Sequence, residues 1–147
     1  MSRLPPFLQV ILAGILASLL TSLIFLGFDL GGVFHGLGIP IRAEDDLIRW
    51  FGVRLIFPGF LALLLLLPVL TDWRLWQRGL LIGLIPAAEL FLYRYPFDKK
   101  IGFFGLDLGL SVTLSALFFS LLWGAMTGWL LHKLGFPDLS MEDEPEI

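Results

Sequence analysis

Residues 7–28 read FLQVILAGILASLLTSLIFLGF, 22 positions without a single charge. About 20 apolar residues in helical form cross the hydrocarbon core of a bilayer, so this stretch is read as a membrane span. The same spacing of charges recurs downstream. Residues 55–70 carry none, and residues 106–131 carry only Asp107, near their start. The chain is therefore expected to be an all-α integral membrane protein with four transmembrane helices, at residues 5–28, 45–70, 75–95 and 106–133. Both termini then lie on one side.

Composition agrees and narrows the function classes. Of 147 residues, 57% are hydrophobic, and mean hydropathy is +0.87. One domain is expected over residues 1–135, followed by a mobile acidic tail at 136–147. The polar stretches are too short and too poor in apolar residues to build a separate soluble core. The absence of cysteine excludes disulfides, thiol redox chemistry, iron–sulfur clusters and Cys-type zinc sites. A net charge of −3 with no basic patch argues against nucleic acid as a partner. The lipid bilayer, other membrane subunits or a second copy of the chain are the partners expected.

Orientation is weakly encoded. Arg3, Arg74, Arg78 and Lys133 fall on one side, and Arg42, Arg49, Arg94, Lys99 and Lys100 on the other. Arg74 and Arg78 share a very short turn, whereas the opposite bases are mixed with acids. The termini are accordingly assigned to the cytoplasm of a prokaryotic plasma membrane.

Two stripes of small residues run along the outer spans, at Gly14, Ser18 and Ser22, and at Ser120, Gly124 and Gly128. Small residues let helix backbones approach closely in lipid, and the reading sets the two stripes against each other. Residues 27–40 read GFDLGGVFHGLGIP, with five glycines and a proline. That composition opposes regular helix, and its apolar residues oppose full solvation. An interfacial or re-entrant segment after helix 1 is expected. The acids in residues 42–46 suit the start of helix 2, with Trp50 in an aromatic belt.

Ionisable residues inside spans are costly and mark sites. Arg54 lies about 9 Å inside helix 2, at ~1.5 Å per residue, and Glu89 a similar distance inside the end of helix 3. The reading pairs them across the two helices, with Arg94 as competitor for Glu89. Asp29, His35, Arg94 and Asp107 would form a polar cluster on the same face, Asp107 also serving as the N-cap of helix 4. No nucleophile–base set, phosphate loop or metal-ligand spacing is present, so no cofactor, metal or catalytic residue is assigned. The function expected is that of an accessory or scaffold subunit of a larger membrane complex. The alternatives are a homo-oligomeric transporter or channel using Arg54, Glu89 and residues 27–40, and a lipid-active enzyme.

Overall fold

The structure, a computed structural model, describes residues 4–40, 47–68 and 73–136. The helix start read at residues 42–46, the acidic tail from residue 137 on, and the side chains of Arg49 and Trp50 lie outside the described residues. All regular elements among the described residues are helical. α1 spans Pro6–Leu30, α2 is the single turn Val33–Gly36, α3 spans Leu47–Leu61, α4 spans Leu75–Glu89 and α5 spans Leu110–Lys133. Three helical segments are long and apolar enough to cross a membrane: Pro6–Leu30, Leu75–Lys99 and Leu110–Lys133.

The chain expected to form helix 2 over residues 45–70 is shorter. α3 ends at Leu61 and tightens into a 3₁₀ turn over Ala62–Leu66. Pro68 explains the stop. The residue before a proline is pushed to extended backbone, and Leu67 adopts φ −66°, ψ 135°. Pro68 also has no N–H to continue the ladder.

α1 begins as its sequence dictates, with Pro6 at the first helical position. It runs two residues past the expected end, through Gly27, and stops at Gly31 and Gly32. Gly32 is left-handed, at φ +72°, which turns the chain back into α2. Residues 27–40 are thus partly helical. Their turn is closed by Gly38 N–H on the His35 carbonyl and Ile39 N–H on the Phe34 carbonyl, at 3.1 and 2.8 Å, the Schellman arrangement. Phe34 and Ile39 are buried and fasten the segment to the end of the bundle. The same device closes α5. Gly135 N–H reaches the His132 carbonyl, and Phe136 N–H reaches the Leu131 carbonyl. Phe136, read as the first residue of the tail, is instead buried among Val10, Leu131 and their neighbours.

α4 does not end at residue 95. It widens into a π-helix over Leu90–Lys99. Pro96 supplies a reason. An α register would leave the Leu92 carbonyl facing a residue with no N–H, whereas i→i+5 bonding offers it the N–H of Phe97. The chain then passes through a 3₁₀ turn, Phe103–Leu108, before α5 starts at Leu110, four residues later than expected.

α1 packs on α3 and on α5, and α5 packs on α4. α4 meets α3's 3₁₀ extension, so that α3 and α4 come together at one end. Neighbours run antiparallel. Two buried clusters result. One, at the end that holds the termini, centres on Val10, Ala13, Leu65, Leu75, Trp123 and Leu131. The other, at the opposite end, centres on Phe25, Phe34, Phe91, Tyr95, Val112 and Phe119.

Candidate functional site

Glycine brings α4 and α5 into backbone contact. A Cβ on Gly79 would strike the carbonyl of Gly124, one on Gly128 would strike that of Leu75, and one on Gly83 would lie 2.6 Å from the Ser120 carbonyl oxygen. The α5 stripe of Ser120, Gly124 and Gly128 therefore faces α4 and not α1. The sequence reading missed its true partner, Gly79 and Gly83, although those glycines stand at the same four-residue spacing. On α1, Gly14 meets α3 and its extension, where an added Cβ would be 2.6 Å from the Ala62 Cβ and 3.2 Å from the Gly59 Cα. α1 and α5 are joined differently: the indole Nε1 of Trp123 donates to the Gly14 carbonyl at 3.1 Å.

Arg78, read as an interfacial turn residue, is 4% exposed. Its Nη2 donates to the carbonyls of Leu65 and Leu67, both at 2.8 Å. These are carbonyls that the break at Pro68 deprives of helical donors. In lipid such groups must be satisfied internally, and a guanidinium from the first turn of α4 does so. It also ties the end of α3's extension to α4. The usable signal in the sequence was Pro68 together with an arginine one short turn downstream.

Above this sealed end the helices border a half-open cavity of about 1130 Å³. Its deep part is lined by Ser18, Ser22, Ser120 and Trp123, near the midpoints of α1 and α5. Thr21 is tied back to the Ala17 carbonyl at 2.9 Å, and Ser115 to the Ser111 carbonyl at 2.8 Å. The hydroxyls of Ser18, Ser22 and Ser120 make no such bond among the described residues. The walls are aromatic. Phe25, Phe34 and Phe119 meet one another at ring-centroid distances of 4.8, 5.3 and 6.2 Å. The upper part carries Arg54, Glu89, Arg94, Asp98 and Lys99.

Arg54 and Glu89 thus share one cavity, but the partner of Glu89 is Arg94. Arg94 Nε donates to Glu89 Oε1 at 2.9 Å. The π-helix is the physical reason. In an α-helix, neighbours on one face are three or four residues apart, and positions 89 and 94 diverge. Bonding from i to i+5 stacks them. Arg54 sets its guanidinium carbon 4.6 Å from the centroid of Phe25, a cation–π geometry that offsets part of the cost of a charge at that depth.

Of the remaining expected cluster, Arg94 lines the cavity and Asp29, His35 and Asp107 do not. Asp29 is half-buried in the last turn of α1 and does not line the cavity. His35 is exposed on α2. Asp107 is not the N-cap of α5, a position held by Gly109 without a side-chain bond. The Asp107 carboxylate instead lies over Gly102, where an added Cβ would be 2.8 Å from Oδ2. Among the described residues no three His, Asp or Glu side chains gather in a metal-binding group. No protein family, curated protein or solved structure matches the chain.

Proposed function

We propose that this chain is a four-span membrane carrier or binding protein, and that the cavity holds an anionic ligand. The observation that carries the reading is the cavity itself, whose largely apolar wall reaches Ser18, Ser22 and Ser120 near mid-span and presents Arg54, Arg94 and Lys99 against Glu89 and Asp98. Among the described residues that line it, three cations stand against two carboxylates. A scaffold or accessory subunit has no need of a cavity with serines at mid-bilayer, since buried polar surface in lipid is costly. The fourth span is residues 47–66. Fifteen α-helical residues at ~1.5 Å and five 3₁₀ residues at ~2.0 Å give about 32 Å, close to the ~30 Å hydrocarbon core.

The reading is tested on the full chain in nonionic detergent, by thermal unfolding with added inorganic phosphate or dodecyl phosphate. At least one should raise the midpoint saturably, because a ligand that binds only the folded state stabilises it. Arg54→Gln should abolish the rise. A midpoint indifferent to both probes, or a rise equal in Arg54→Gln, overturns the reading.

A further inference from the structure

We infer that the ligand is a membrane amphiphile with an anionic head group and an alkyl chain, and that it enters sideways, from the bilayer, between α3 and the π-helical end of α4. The inference rests on the ligand-binding reading above and goes beyond it by naming the ligand class and its route.

Three observations converge. First, among the described residues α3 and α4 are joined by side-chain hydrogen bonds at the end where Arg78 clasps the Leu65 and Leu67 carbonyls. Beyond that clasp each helix packs on its own partner, α3 on α1 and α4 on α5, and the cavity lies between them. Second, the residues flanking the gap belong both to the cavity wall and to the outer surface. Phe57 on α3 is 47% exposed and Tyr93 on the π-helix is 64% exposed, and both line the cavity. A side wall made of residues that also face outward is an opening, and an opening at span depth faces lipid tails. Third, the polarity is graded as an amphiphile requires. Arg54, Arg94 and Lys99 sit toward the end where lipid head groups lie, while the rings of Phe25 and Phe119 line the interior. A phosphate or carboxylate accepts charge-assisted bonds from guanidinium and ammonium groups, and an alkyl chain gains from the aromatic wall. The volume of about 1130 Å³ accommodates a chain as well as a head group, just above the ~300–1,000 Å³ of small-molecule sites.

Trp123 lines the cavity and is 4% exposed, shielded from lipid by its own bundle. It is a built-in reporter. In a variant with Trp50, Trp73, Trp76 and Trp129 replaced by Phe, reconstituted in nanodiscs, a brominated acyl chain should quench Trp123 only by entering the cavity. Brominated phosphatidylglycerol is expected to quench strongly and brominated phosphatidylcholine weakly. Arg54→Gln should weaken the anionic lipid about tenfold or more, the loss of one charge-assisted bond. Should that variant fail to fold, Lys99→Gln at the exposed rim gives the same direction with a smaller loss. Equal quenching by both lipids, or none by either, overturns the inference. If phosphate or dodecyl phosphate still stabilises the protein while brominated chains leave Trp123 untouched, the anion site stands and lateral lipid entry is wrong. If neither effect appears, both readings fall.

Discussion

The two ends of this bundle solve the same problem in opposite ways. At the end holding the termini, glycines let backbones touch, Trp123 bonds the Gly14 carbonyl, and Arg78 satisfies the carbonyls that Pro68 frees. Among the described residues, the buried Arg78, Trp123 and Thr127 there each have a protein partner. At the other end, Pro96 shifts the helix into a π register, the charged side chains line a cavity, and mid-span serines have no tie to a neighbour among the described residues. The first end is built for rigidity. The second keeps polar surface in reserve, which natural sequences do at functional sites and offset elsewhere.

Substitutions at the sealed end should therefore cost stability, and those at the open end should cost ligand binding. The largest effect is expected at Gly124→Leu. The side chain would have to displace the backbone of α4 at Gly79, so the loss exceeds the ~1–3 kcal/mol typical of overpacking. The variant should fail to give a monodisperse peak on size-exclusion chromatography. A stable, unaltered peak would place the stripe against lipid.

Arg78→Met comes next. It removes two bonds and strands the Leu65 and Leu67 carbonyls, at about 1.5–3 kcal/mol for a bond to a charged group. Chemical unfolding in mixed micelles measures the loss. Wild-type stability would show that Arg78 snorkels to water instead.

Smaller effects are expected at the rim. Arg94 and Glu89 are 42% and 34% exposed, so their coupling in a double-mutant cycle should fall near ~0.2–1 kcal/mol. Coupling between Arg54 and Glu89 should be smaller still. The reverse order would restore the pairing of α3 with α4 that the sequence alone favours. Ser22→Val should change stability least, since among the described residues the Ser22 hydroxyl has no hydrogen bond of the kind that ties back Thr21, yet it should weaken ligand-induced stabilisation. A large loss of stability with ligand response intact would make Ser22 a structural residue.

Three helices long and apolar enough to cross a membrane were legible because charge spacing reports directly on lipid. Residues 7–28 and 106–131 admit little else, and the glycine stops after α1 and α5 fell close to the expected ends, whereas Pro68 ended α3 earlier than a kinked span predicts. What sits beside what was less legible. Periodicity shows that Gly124 and Gly128 form a face but not which helix meets it, and Gly79 with Gly83 is as good a match as Gly14. The Glu89 pairing was half-legible: Arg94 stands as a competitor five residues on, but a reading at 3.6 residues per turn does not stack positions 89 and 94, and nothing before Pro96 announces the change of register. Arg78 was taken for a surface residue because two neighbouring tryptophans and Arg74 resemble an interfacial turn. Its role appears only once the carbonyls released by Pro68 are counted.

The contrast between a sealed end and an open end is tested most directly by thiol accessibility, on a chain with no cysteine of its own. Single substitutions Ser18→Cys and Ser22→Cys at the cavity, and Ala13→Cys and Thr127→Cys at the sealed end, are exposed to a small hydrophilic thiol reagent in detergent. Ser18 and Ser22 line the cavity although only 2% and 3% exposed, so the account predicts slow but measurable modification at positions 18 and 22, none at 13 and 127, and further slowing at 18 and 22 by dodecyl phosphate. Equal reaction at all four positions, or modification at 127 with none at 22, would contradict it.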